Sequence, residues 1–493
     1  MLNKFSPTFW VASFLQLMER WAYYGIFTLL GLYLVASTDK GGLGFDHLQK
    51  ASIMANVSAI LYLLPPIFGV IADRIGYKLS LVISCAITAV GYFLMGEVTD
   101  YAAVYSIFLL SAIGAGFFKP VVNGIVARNT DETTSTMGFG IFYMMVNIGG
   151  FLGPAMSSYL RTEYGWRIIF IQGAVVMTIN VLVALFLYKE PKLAQKIRKP
   201  LLTEIKESLM HIVEALKDRR LTVLLLLMVG FWTMFNQLFY TLPNFIEDWV
   251  DSSALSAWIN EKSTFLGTIL TSEGQVKAEW FINIDSFMII FFQVLVSYFV
   301  TKMSHVSAMI RGTVIATLGV TLTFMFNNPW FTIIGTVIFS VGEMASSPTL
   351  SAFVAQITPK GKEALYQGTV FLPVAAGNYL TGFFSGYLYT EWSDKYSLLK
   401  IELAKRAIEM PKNLTKTQYF ELASQKLGLS QSQITELLWG AYNPAKLWYV
   451  ICALGVFAAV SLYIYNRQVT GNRGQVSGNR GQVSGDIGTV ICE

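Results

Sequence analysis

Charge is the first thing this chain lacks. Asp, Glu, Lys and Arg make up only 14% of its 493 residues, against 54% hydrophobic. A typical soluble domain carries about 25% charged residues. That scarcity excludes an ordinary soluble protein and a solvated disordered chain, and it predicts an all-α integral membrane protein. Cysteine and histidine are scarce too. Cys85, Cys452 and Cys492 are odd in number and lack ligand spacing, and His47, His211 and His305 are scattered in loops or at span edges. Neither a disulfide framework nor a metal centre is expected, and no cofactor. A nucleophile beside a base, or a glycine loop able to cradle phosphate, is also missing, so an enzyme is not expected. The first apolar run is too long for the core of a cleavable signal.

Long apolar runs are what the chain has. They recur at 8–35, 51–72, 79–96, 102–127, 136–160, 166–188, 221–246, 281–301, 307–326, 330–357, 364–390 and 446–466. Each approaches the ~20 residues that a spanning helix needs. Twelve transmembrane helices in two six-helix bundles are therefore expected: residues 1–188, then a cytoplasmic amphipathic linker at 189–220, then residues 221–466. Lysines and arginines concentrate in alternate short loops, which puts both termini in the cytoplasm by the positive-inside rule. Residues 391–444 then form an outer helical insert. Thr415 with Gln418, and Ser430 with Gln433, have capping-box spacing, with Gly428 and Gly440 as expected helix ends. The insert's helix-turn-helix rhythm invites a nucleic-acid reading, but topology puts it on the wrong side of the membrane. The tail, 467–493, repeats Gly-Asn-Arg-Gly-Gln-Val-Ser and reads as disordered.

Two cations stand deep inside expected spans: Arg20 and Lys119. A charge at that depth costs roughly 3 kcal/mol on insertion scales, so each needs an interior purpose. Gln16, Glu19, Arg20, Tyr23 and Tyr24 recur at i, i+3, i+4, i+7, i+8, which makes one polar and aromatic stripe, and Phe27 continues it.

Between the second and third spans, Gly69-Val70-Ile71-Ala72-Asp73-Arg74-Ile75-Gly76-Tyr77-Lys78 resembles the loop signature of the major facilitator superfamily. The resemblance implies that superfamily's fold, with Asp73 and Arg74 as a conformational latch. Four further stretches narrow it. Glu19-Arg20-Trp21-Ala22-Tyr23-Tyr24-Gly25, Gly114-Ala115-Gly116-Phe117-Phe118-Lys119-Pro120, Phe142-Tyr143-Met144-Met145-Val146-Asn147-Ile148-Gly149, and Gly342-Glu343-Met344 with Ser347-Pro348 are similar, in order, to motifs of the proton-dependent oligopeptide transporter family. The likeness implies a monomeric carrier in the plasma (inner) membrane that imports di- and tripeptides with protons by alternating access. It implies a substrate site of Arg20, Tyr23, Tyr24, Tyr62, Lys119, Asn147, Trp232, Asn236, Asp285 and Glu343. The chemistry suits a zwitterion: Arg20 and Lys119 hold a carboxylate, an acid such as Glu343 holds the ammonium, and Asn147 bonds the peptide amide. Tyr62 and Trp232 also admit a reading as packing aromatics, with their role as broad surfaces for peptide side chains favoured.

The chain also departs from the family pattern. Gln16 stands where the first motif begins with glutamate. Phe27 and Asn236 stand where a basic and an acidic residue often pair across the bundles. Asp285 replaces an asparagine, and Val370 a tryptophan. Two acids have thus become amides, which cannot titrate. Glu19, Glu343 and Lys119 are expected to carry proton coupling, with Glu343 paired to Lys119 and Glu19 restrained by Arg20. Asp285 is either a coupling acid or a helix-start acid near the outer surface. A facilitator or exchanger of the same fold, or a carrier of another small organic or nitrogenous solute, stays open.

Overall fold

The computed structural model describes residues 5–130, 135–190, 199–358 and 369–483, and these are almost entirely helical. The first bundle contains α1 (Pro7–Val35), α2 (His47–Leu63), α3 (Pro65–Ile75), α4 (Tyr77–Met95), α5 (Tyr101–Arg128), α6 (Ser135–Tyr164) and α7 (Arg167–Phe186). The linker helix α8 (Leu201–Ala215) follows. The next long helix is interrupted and runs as α9 (Arg219–Phe235), α10 (Gln237–Tyr240) and α11 (Leu242–Trp249). Two short helices, α12 (Ser253–Lys262) and α13 (Thr264–Leu270), precede a two-stranded hairpin of β1 (Thr271–Ser272) and β2 (Gln275–Val276). Its turn is Glu273-Gly274, both with positive φ, as a tight hairpin requires. Then come α14 (Ala278–Val300), α15 (His305–Met325), α16 (Pro329–Ile357), α17 (Phe371–Phe383), a π-turn at Phe384–Leu388, and α18 (Tyr389–Trp392). The insert supplies α19 (Lys395–Lys405), α20 (Lys416–Leu427) and α21 (Gln431–Tyr442), and α22 (Leu447–Val483) closes the described chain.

Among the described residues, nine helices are long and apolar enough to cross a membrane. The count is ten if α2 and α3, bent by 48° at Leu64-Pro65, are one span. Two expected spans do not meet that measure. One is α1, whose centre carries Glu19 and Arg20; the other is the eleventh, whose expected start at 364 lies outside the described residues. α22 continues past residue 466, where the tail was expected to begin, and residues 484–493 lie outside the described ones.

Within the first bundle, α1 packs on α6 and α7, and α4 on α5 and α7. Within the second, α15 packs on α16 and α22, and α9 on α17 and α22. Between bundles, α2 meets α17 and α6 meets α14. The α1–α6 contact is close because α6 presents Gly149 and Gly153 to it. A Cβ on Gly149 would fall on the Leu17 carbonyl, and one on Gly153 on the Trp21 carbonyl. Small residues four apart let two backbones touch in this way. The contact holds the polar stripe of α1 against the Asn147 helix.

The insert and the linker mark opposite ends of the molecule. At the insert, both capping boxes form, Thr415 with Gln418 and Ser430 with Gln433. Gly428 ends α20 in the left-handed region, but Gly440 stays inside α21, which ends instead at left-handed Asn443. At the linker end, Gly76 takes φ 94° to turn the chain, and Glu190 caps the amides of Tyr77 and Lys78.

Candidate functional site

Arg20 and Glu19 are adjacent on α1, and both are buried. Neighbouring residues on a helix do not face each other, but the arginine side chain curls back. Its Nε donates to Glu19 Oε2 at 2.5 Å and its Nη2 to Oε1 at 2.6 Å, a two-pronged ion pair. The guanidinium carbon lies 4.7 Å from the Tyr23 ring centre and 5.5 Å from that of Tyr24. On α5, Lys119 brings Nζ to 3.9 Å from the Tyr62 ring centre. Its nearby charges are Arg20 and Glu19. Arg20, Tyr23, Tyr24, Tyr62 and Lys119 thus form one basic, aromatic wall on the first bundle, with buried Gln16 on the same α1 stripe.

Asn147 stands on α6, where its amide donates to the Tyr143 carbonyl at 2.9 Å, and its side-chain oxygen has no partner among the described residues. Tyr143 lies among Glu343, Tyr24 and Asp285. It belongs in the site, although only its place in the fifth-span motif hinted at it.

The acidic wall comes from the second bundle. Asp285 lies two turns inside α14 and is buried, so it is not a helix-start acid at the surface. It faces Glu343 of α16, close enough for the two carboxyl groups to share a hydrogen bond, with Ser340 beside them. One oxygen on each, Oδ1 of Asp285 and Oε2 of Glu343, is buried without another partner among the described residues. The expected pairing of Glu343 with Lys119 is corrected here: Glu343 faces Asp285, while Lys119 lies over Tyr62 and makes no ion pair among the described residues.

Trp232 stands on α9 and Asn236 at its end. Trp232 packs between Phe231 and Phe235, with ring centres 5.4 and 5.0 Å away, and Gly377 of α17 sits against its Cβ. Asn236 donates to the Trp232 carbonyl at 2.8 Å, at the interruption between α9 and α10. Phe27, opposite, meets the Tyr240 ring edge-on at 5.8 Å. The aromatic partner of Phe27 is thus Tyr240, one turn beyond Asn236, the position that the resemblance pairs with it. Val370 precedes α17 as its N-cap.

Asp73 and Arg74 divide their partners. Asp73 accepts from Tyr77 Oη at 2.9 Å and Arg128 at 3.2 Å, while Arg74 reaches Glu204 of the linker helix at 3.7 Å.

Polar links join the two bundles at the insert end. Arg161 of α6 pairs with buried Glu279 of α14 at 3.0 Å, Lys40 with Glu273 at 2.9 Å, and His47 of α2 with Asp394 at 3.4 Å. Lys416 of the insert donates to the Val35 carbonyl at 2.7 Å, and Thr417 to Asp39 at 3.1 Å. Lys50, missed in the sequence because it precedes the second apolar run, is wholly buried on α2. It donates to the Tyr240 carbonyl at 3.0 Å and to Asn244 Oδ1 at 2.9 Å. The usable signal was Asp46 with Gln49, whose capping box starts α2 at His47 and so puts Lys50 one turn inside the helix. Nearby, burial and the charge of Asp394 push the Asp248 carboxyl up to about 7. Burial also acts against ionised Asp394, but hydrogen bonds from His47 and Ser397 outweigh it and hold that carboxyl well below the usual range.

Comparison with known proteins agrees with this architecture. The chain is 31% identical over 173 residues to the uncharacterized transporter YclF of Bacillus subtilis (strain 168), covering 34% of this chain and 35% of that one. It is 28% identical over 191 residues to the dipeptide and tripeptide permease A of Enterobacter sp. (strain 638), covering 38% and 37%. These alignments span little more than a third of either relative. In fold, it is similar to the crystal structure of peptide transporter POT in complex with sulfate, with TM-score 0.67 and 16% identity over 93% of this chain and 95% of that one. The family model of the Major Facilitator Superfamily matches residues 9–259 and 262–399. With helices paired as above around a buried polar centre, this chain belongs to the Major Facilitator Superfamily.

Proposed function

We propose that this protein is a proton-dependent oligopeptide transporter that carries di- and tripeptides across the membrane, with protons, by alternating access between its two bundles. The observation that carries the reading is the opposition of two walls. Arg20 and Lys119 stand on the first bundle, and Asp285 and Glu343 on the second. A short peptide presents a carboxylate and an ammonium at nearly fixed separation, and this arrangement has a partner for each. The permease relatives and the motif order support the same substrate class.

Two carboxyl groups in contact away from bulk water share one proton more readily than they hold two charges. In this reading, Asp285 and Glu343 take up a proton from one side. The pair, with one proton and one negative charge, still holds the peptide ammonium. Protonation and binding together weaken the charge pairs and permit closure, and proton and peptide leave together on the other side. Glu19 stays with Arg20 until a peptide carboxylate competes for the guanidinium. The insert end faces outside the cell, and its links close that side.

Purified protein in liposomes tests this. Labelled dialanine should accumulate above equilibrium when an inward proton gradient is imposed. Equilibration without accumulation would instead favour the facilitator or exchanger reading, for which the amides Gln16 and Asn236 speak. Competition by dipeptides, free amino acids and nitrate decides substrate class, and indifference to every dipeptide would sink the peptide assignment.

A further inference from the structure

We infer that Lys50 is a positioning residue that ties occupancy of the Arg20 site to closure of the insert end. The inference rests on the alternating-access reading above. An ammonium shut away from water is costly unless its protons find acceptors. Lys50 is wholly buried, yet it makes no ion pair among the described residues. Two acids lie in its neighbourhood, and both have other partners. Asp248 accepts from Tyr389 Oη at 2.6 Å, and Asp394 is taken by His47 at 3.4 Å and Ser397 at 2.5 Å. Lys50 instead spends two protons on neutral acceptors of the other bundle, Tyr240 O and Asn244 Oδ1, and its Nζ stands 5.7 Å from the Tyr389 ring centre.

The placement of those acceptors explains the arrangement. Tyr240 and Asn244 straddle Thr241, where the interrupted helix passes from α10 to α11, next to Pro243, which has no amide proton to give. Were the bundles to part at this end, Lys50 would lose both acceptors together and meet water in the gap. The two protons it donates are satisfied in either state and in nothing between. Neutral acceptors also release an ammonium more readily than a carboxylate does, which suits a contact broken once per cycle.

A continuous stack runs from this closure to the site. The Arg20 guanidinium lies over Tyr23, Tyr23 stacks on Phe27 at 5.2 Å and 12°, and Phe27 abuts the Tyr240 ring. Tyr240 is fixed at its far end, where Oη has two acceptors for its one proton, Asn378 Oδ1 at 2.9 Å and the Met54 carbonyl at 3.1 Å. One residue thus receives Lys50 on its carbonyl and the Arg20 stack on its ring. Tightly packed side chains move between discrete arrangements rather than yielding gradually. Drawing Arg20 toward a peptide carboxylate disturbs Tyr23 and Phe27, and with them the seat of Lys50.

Spin-label distances across the insert end test this without relying on transport. Labels at Leu48→Cys and Lys262→Cys, both exposed and on opposite bundles, are placed in the full chain with the native cysteines replaced by serine. The unsubstituted background should show a dominant short distance and a minor longer one, with dialanine changing their ratio. Lys50→Met should raise the longer population roughly tenfold, the scale of losing a charged hydrogen bond, and should abolish the response to dialanine. Lys50→Gln, which keeps two donors, should restore much of both. Background distances and response retained in Lys50→Met overturn the inference and leave alternating access intact. A single distance in the background under all conditions removes alternating access and this inference with it. If Lys50→Met does not fold, Asn244→Ala decides: it should open the same end, and background-like distances there overturn the proposal.

Discussion

Glu19 holds Arg20 with both carboxylate oxygens, at 2.5 and 2.6 Å, so the guanidinium that faces the site is already occupied. Truncating one partner leaves the other buried and uncompensated, a loss of about 3–5 kcal/mol. Arg20→Ala should therefore lower the unfolding temperature in detergent more than the double variant Glu19→Gln with Arg20→Gln. Equal losses in the two would show that the pair contributes nothing as a pair.

The carboxyl pair makes a prediction about coupling. Glu343→Gln and Asp285→Asn each leave a single titrating group where two now face each other. Accumulation of dialanine under a proton gradient should fall roughly tenfold or more in either, while peptide exchange at equal pH persists, because losing one proton site removes the driving force rather than the path. Full accumulation in both variants would place coupling elsewhere. Gln16→Glu is the complement, and should make uptake more dependent on pH.

The α1–α6 contact predicts a packing defect. Gly149→Ala would set a methyl group on the Leu17 carbonyl, at a cost of about 1–3 kcal/mol for overpacking. Gly140→Ala, on the same helix with open space around it, should be near neutral. Thermal unfolding of the two variants side by side gives the comparison. A destabilised Gly140→Ala beside a tolerated Gly149→Ala would reverse the reading of the contact.

The acids at the insert end set opposite pH limits. Asp248 has a carboxyl raised from 3.8 to about 7, mainly by burial, so the folded state binds its proton more tightly than the unfolded chain does. Its contribution to stability is full below the unfolded value and is lost as pH rises through about 7. Asp394 is shifted the other way: its contribution is present above the ordinary carboxylate range and is lost as pH falls below it. Unfolding temperature followed from pH 2 to 9 should therefore decline at both ends, and Asp248→Asn should flatten only the alkaline side. An unchanged alkaline decline in that variant would assign it to another group.

The two ends of α20 and α21 show how far sequence rules reach. Thr415 and Ser430 cap their helices as their spacing requires, because a capping box is satisfied within four residues. Gly440 was misjudged because a glycine permits a helix end without imposing one, and the chain turns at Asn443 instead. The same distinction applies to the site. The polar stripe of α1 is a property of 3.6-residue periodicity, and Arg20 lay on it before any fold was known.

Composition and periodicity alone determined that this is a helical membrane protein with two cations, Arg20 and Lys119, deep within its spans and a polar first helix. The chemistry of hydrocarbon permits little else for a chain so poor in charge. Only the tertiary structure decided the partners: Glu343 with Asp285 instead of Lys119, Phe27 with Tyr240, and Lys50 on the acceptors of an interrupted helix. Each of these joins residues at least 58 positions apart in the chain. Helical spacing fixes which face a side chain is on, but what it meets across the gap depends on how whole helices pack.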